Sequence, residues 1–183
     1  MPPSTRRFLL RERTADRHQA VDAAVGSFDT LQHYSIYLQG LHSFRLPLEA
    51  WFAGLDWPRH FGEWRPTAIG EMILRDMDDL NVTERRIEPS IPHHADLETL
   101  LGALYVLEGS SLGARVLVSR AGQLGLNDTY GARHLASQAQ SDGWKSFLQM
   151  LDSAPTMDMD KVVDASRTVF AHAETAFKGN LYA

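Results

Sequence analysis

Cysteine is absent from the chain. That removes disulfides, zinc–thiolate sites and cysteine nucleophiles at once, and leaves His, Asp, Glu or a backbone oxygen to hold any metal. A surplus of positive charge is missing too. The 18 Lys and Arg are outnumbered by 23 Asp and Glu, for a formal net charge of -5, whereas nucleic-acid binding calls for a basic face. Nucleic acid is therefore not an expected partner. Long apolar runs are lacking: none is expected to span a membrane, and FLL at 8–10 is too short for a secretory signal core. The expectation is a cytoplasmic protein off the membrane. No flavin or nucleotide fingerprint occurs, and strand-like alternation is nearly absent.

What remains is helical spacing over most of 183 residues, 44 % of them hydrophobic. This suffices for one domain, 1–183, with its own core. The spacing predicts a first helix from near Ser4, as N-cap, to near Gly26. Its stripe of Leu10, Thr14, His18, Val21 and Val25 spans an arc of about 80°. A second helix begins near Asp29 or Thr30, and Pro47 is expected to kink or end it. Residues 56–66 read as a loop, Thr67–Leu80 as a helix and 81–95 as a long connection. A long helix starts at Asp96 as N-cap and runs to about Gly122. Residues 123–140 are ambiguous; helices follow over Asp142–Leu151 and Asp158–Phe177. The fold class is all-α, an irregular bundle of about six to eight helices.

The long helix holds the oddest feature. Glycine costs roughly 1 kcal/mol relative to alanine inside a helix, yet Gly102, Gly109 and Gly113 all occur there. On an ideal helix they lie within about 40° of one another, forming a trough of bare backbone. Either another helix lies in it, as in small-residue packing, or a planar ligand does. His18 leaves a similar choice between a hydrogen-bonded core histidine and a metal ligand. Asp22 at i+4 can hold its tautomer, and Arg11 and Arg17 can reach anionic groups at a pocket edge. The other histidines have no metal-ligand spacing. Ser110-Ser111 in GSSLG is not a nucleophile elbow. Asp76, Asp78 and Asp79 read as a solvated helix end. Phe170 and Phe177, seven apart, share a face that either packs the core or lines an apolar ligand.

TADRHQAVD, residues 14–22, following Leu10-Arg11, resembles the leucine-basic-x-x-T-x-x-x-H motif of the heme oxygenase family. YVLEGSSLGA at 105–114 resembles the distal helix of bacterial members. FRLPLE at 44–49, GWKSFL at 143–148 and the Phe170/Phe177 pair are similar to further segments of that family, in the same order. The resemblance spans essentially the whole chain. It implies His18 as axial ligand to heme iron, with Asp22 where a glutamate often supports that histidine. It implies Gly109 and Gly113 as distal glycines that approach the heme. Arg11, Tyr105 and Lys145 are implied propionate contacts, and Phe170 lines the heme. Two positions depart from the pattern: Ser110 stands where mammalian members carry an aspartate, and Ala114 where many carry a glycine.

The implied activity is oxidative cleavage of heme to biliverdin, iron and carbon monoxide, with O2 from solution and electrons from an external donor such as a ferredoxin or reductase. A bilin-binding photoreceptor is an implied consumer of the product. A wall of bare backbone lets the ring approach, and a hydroxyl, such as that of Ser110, or a water beside Gly109 would supply a proton. The alternative is a non-catalytic heme or tetrapyrrole binding protein of the same fold. A thiamin-pyrimidine hydrolase on this fold typically relies on a cysteine, which this chain lacks.

Overall fold

The computed structural model describes residues 3–179, with side chains from residue 5 onward. Its elements are α1 (Pro3–Arg13), α2 (Ala15–Val25), α3 (Leu31–Ala53), α4 (Gly70–Asp79), α5 (Leu97–Gln123), α6 (Arg133–Gln140), α7 (Gly143–Ser153) and α8 (Met159–Lys178). A single 3-10 turn, Arg59–Phe61, interrupts the loop after α3. Among the described residues there is no strand, only isolated bridges around Asn127.

Local chemistry sets the helix starts. The Thr30 side chain accepts from His33 N, Asp96 from Thr99 N, and Asp158 from Asp160 N, each satisfying a donor that a helix start leaves free. The Ser4 side chain, expected as a cap, lies outside the described ones. The expected first helix is two, broken at Thr14, whose φ of -120° and ψ of 6° leave the helical region. Its hydroxyl bonds to Leu10 O at 2.7 Å, a back-bond that bends helices. Pro47 neither ends nor interrupts α3. Phe44, Leu48 and Phe52 are buried on both sides of it, and that packing carries the helix past the missing N–H. α4 starts at Gly70 rather than Thr67 because Thr67 N donates to Glu108 Oε1 at 3.1 Å instead.

α5 is the axis: it packs on α8, α6 and α7, while α8 also receives α2 and α3. Contrary to the sequence expectation, α5 is long and apolar enough to cross a membrane by length and composition. Here it is the central helix of the core, with Leu100, Leu101, Leu104 and Leu107 each buried to 1 % exposure or less. Gly102 lets α8 close on it. A Cβ there would lie 2.4 Å from Val162 O and 2.7 Å from Ala165 Cβ. Gly102 is therefore a packing glycine and leaves the predicted trough.

The expected solvated aspartate run is also corrected. Asp76 is fully buried. Its carboxylate accepts from Arg133 N at 3.1 Å and His134 N at 3.0 Å, and lies 2.7 Å from His134 Nδ1. It thereby caps α6 and pins it to α4. Burial pushes the Asp76 carboxyl up, but the hydrogen bonds from His134 and Arg133 outweigh it and hold the carboxyl below its usual range. Burial holds the His134, His42 and His172 imidazoles below the usual 6.5.

Two outcomes are expected. Gly102→Ala should cost roughly 1–3 kcal/mol by overpacking, lowering the melting temperature by about 2–12 °C for a chain of this size; an unchanged melt would contradict the α5–α8 contact. Histidines kept neutral in the fold but protonated on unfolding give stability that is complete above their unfolded value and lost as pH falls below it. The loss is about 1.4 kcal/mol per pH unit for each proton taken up. Urea titrations between about pH 7 and pH 5 should show this fall. His172 Nε2 is buried with no partner among the described residues, so His172→Phe should make the fall shallower by up to one proton's worth. An equally steep fall would remove His172 from the account.

Candidate active site

α2 and α5 both pack on α8 but barely touch each other. The space between them is a cavity of about 670 Å³, within the usual range for small-molecule sites. The stripe predicted for the first helix faces it: Thr14, His18, Val21 and Val25 all line it. His18 is placed by the joint at Thr14, with its N–H donating to Thr14 O at 2.9 Å. Its side chain is 61 % exposed, open to the cavity rather than buried in the core. Nδ1 lies 3.0 Å from Asp22 Oδ2, which favours the proton on Nδ1 and leaves the Nε2 lone pair available. The Phe170 ring meets the imidazole edge-on at a centroid distance of 5.9 Å. One wall thus carries a single oriented Lewis base.

The α5 wall is backbone. A Cβ on Gly113 would meet nothing within 4 Å, and one on Gly109 only the Trp144 indole, at 3.6 Å from Cζ3. The three glycines that share a face by angle therefore do three jobs, because α8 covers the first, α7 the second and nothing the third. Ser110 lines the cavity, but its hydroxyl donates to Leu107 O at 2.6 Å. Ser110 Oγ in turn accepts from Gln138 Nε2 at 3.2 Å, and Gln138 lines the cavity as well. Glu108, next to Gly109, turns its carboxylate away, toward Thr67 N. Burial pushes that carboxyl up, with Arg45 opposing.

Two guanidinium groups, Arg7 and Arg11, line the cavity from α1. They sit one turn apart on one face. Tyr105 is buried beside them. Burial raises its phenol, partly offset by Thr14 and the two arginines, so it enters as a neutral hydroxyl. Tyr37 and Phe44 from α3 and Phe177 from α8 supply aromatic surface. Lys145 does not join them. It is exposed on α7, about 100° around the helix from Trp144, and that turn gives Trp144 the cavity instead.

The structure thus gathers His18, Asp22, Arg11, Tyr105, Gly109, Ser110, Gly113 and Phe170 around one space and leaves Lys145 outside. Sequence reasoning missed Arg7, Tyr37, Trp144 and Gln138. Arg7 was findable, since it precedes Arg11 by one helical turn. Gln138 was not, because α6 lies in the stretch without a clear period, and its place is set by Asp76 on a distant helix.

No family model matches the chain. It is 32 % identical over 162 residues to heme oxygenase PigA of Pseudomonas aeruginosa, covering 82 % of this chain and 81 % of that protein. Among solved structures it is similar to the NO- and CO-bound heme oxygenase from Neisseria meningitidis, with a TM-score of 0.75 over 96 % of this chain and 91 % of that one. At 22 % identity this second likeness is one of fold.

Proposed function

The chain belongs to the heme oxygenase family, and we propose that it cleaves heme to biliverdin, iron and carbon monoxide within the cavity between α2 and α5. The observation that carries this reading is the pairing of an oriented imidazole, His18, with bare backbone at Gly113 in one cavity edged by two arginines.

The residues present fit an iron porphyrin. His18 Nε2 would hold the iron, and Asp22 would keep the proton on Nδ1. Phe170, Phe177 and Phe44 cover apolar ring surface and exclude water. Arg7 and Arg11 face the carboxylates at the ring's edge. Gly113 lets the ring close on the α5 backbone without a side chain between them. Gln138, which lines the cavity, donates through Nε2 to Ser110 Oγ, and the Ser110 hydroxyl, bonded to Leu107 O, orients that amide as a hydrogen-bond donor. No carboxylate of α5 faces the ring, since Glu108 is turned to Thr67 N. The bound iron porphyrin supplies the redox chemistry, with O2 and electrons from an external donor such as a ferredoxin or reductase. A bilin-binding photoreceptor is one consumer of the product.

One observation favours a second reading, a protein that binds heme without turnover: the Ser110 proton is committed to its own helix. Hemin titration followed by reduction in air separates the two. Both give a Soret band, but only the enzyme loses it as a bilin band grows.

His18→Ala should abolish the imidazole-ligated heme spectrum and weaken hemin binding by more than about tenfold, a loss that even a supporting hydrogen bond can produce. Far-UV circular dichroism should not change, because α2 buries no residue. An unaltered heme spectrum would remove the assignment. Gly113→Leu should fold at least as well as the parent, since leucine gains roughly 0.8–1 kcal/mol of helix propensity over glycine and meets open space. It should nevertheless lose hemin affinity, and an unchanged dissociation constant would contradict the backbone wall.

A further inference from the structure

Trp144 is fixed from several directions at once. The Arg7 guanidinium lies over the indole, 5.7 Å from its centroid. Tyr105 and Phe147 pack against it, each at a centroid distance of 5.7 Å. Phe147 is fully buried and Tyr105 nearly so. The position of α7 itself is set at Gly143, where a Cβ would lie 2.1 Å from Glu108 Oε2. A side chain there would have to displace the Glu108 carboxylate, whose other oxygen is held by Thr67 N, and the next residue is Trp144. The indole is therefore a wall, not a flap. It lines the cavity, and its Cζ3 edge covers the bare Cα of Gly109, whereas Gly113 one turn on stays open.

The α5 surface is thus lopsided. A flat ligand can approach the backbone at Gly113 but is stopped by an aromatic edge on the Gly109 side. The same indole fixes the Arg7 guanidinium at the rim, and so places one of the charges that an anionic edge would meet. On the assumption that the ligand is heme, as proposed above, we infer that Trp144 is the specificity-determining residue of the cavity. Its indole sets where in its own plane the macrocycle rests, and hence which edge lies against the open backbone at Gly113.

The test is paramagnetic proton NMR of the cyanide-ligated ferric hemin complex, whose heme methyl resonances report in-plane seating without turnover. Trp144→Ala should keep the His18-ligated complex but show a second resolved set of heme methyl resonances. The bilin isomers formed on aerobic reduction should change in parallel. Trp144→Phe, which keeps an aromatic edge, should return the pattern toward the parent's. It also serves as the variant to read if circular dichroism shows that the alanine variant does not fold. A variant with intact hemin binding and a single unchanged methyl pattern overturns this inference alone, even if its melting temperature falls. Failure of the parent protein to bind hemin through His18 overturns the heme reading and this inference with it.

Discussion

A guanidinium buried behind α5 holds the backbone wall of the cavity in place. Arg45 of α3 is 2 % exposed. It donates to Glu49 Oε1 at 2.8 Å, to Leu107 O at 3.3 Å and to Thr67 O at 2.5 Å. Glu49 in turn accepts from Ile69 N and Gly70 N at 2.9 Å, at the start of α4, and Glu108 accepts from Thr67 N. α3, α4 and α5 therefore meet on one set of charge-assisted hydrogen bonds. A buried charge stripped of its partner costs on the order of 3–5 kcal/mol, so the set stands or falls together. Leu107 O, its contact on α5, lies two residues before Gly109. A helix bare on one face gains nothing there from side-chain packing; it is held from behind instead.

The opposite wall rests on different physics. α2 buries no residue. Val21, Ala24 and Val25 pack half-buried against the core, and arginines add to this: Arg167 of α8 donates to both Asp16 oxygens at 2.7 and 2.9 Å and to Arg13 O at the end of α1 at 2.9 Å, and Arg17 reaches Glu174 at 3.4 Å. Arg6 ties α1 to the end of α7 through Leu151 O and Ala154 O at 2.7 and 2.8 Å. Exposed ion pairs contribute about 0–1 kcal/mol each, and segments with few buried contacts open at lower free energy than the core. The cavity therefore has a rigid wall of backbone and a more compliant wall that carries the imidazole. A ligand that joins the two through His18 would add to the half-buried contacts by which α2 meets the core.

How far the site was legible follows from how local each signal is. Asp96, Asp158 and Thr30 satisfy donors within three residues, so those helix starts were readable. The stripe through His18 was readable for the same reason, and only its exposure was not: a face turned inward looks the same in sequence whether it meets a core or a cavity. Asp76 and Asp79, one turn apart on the same helix, share a composition that suggests solvent, yet Asp76 is fully buried because α6 returns to it from residues 133 and 134. Lys145 and Trp144 are neighbours in sequence, and one residue's rotation of α7 decides which reaches the cavity.

By itself the sequence determined the all-helical class, the periods that bury each helix, the caps that start three of them, and the placing of one histidine with a carboxylate at i+4 and of glycines on one face of an apolar helix. Those are properties of a single helix, written in angles and near neighbours. Tertiary structure alone decided that Gly102 packs, Gly109 meets an indole and Gly113 stays open, and that Gln138 donates to Ser110. These depend on where α8, α7 and α6 cross α5. Helix crossings are fixed by close packing among residues far apart in the chain, and no local period encodes them.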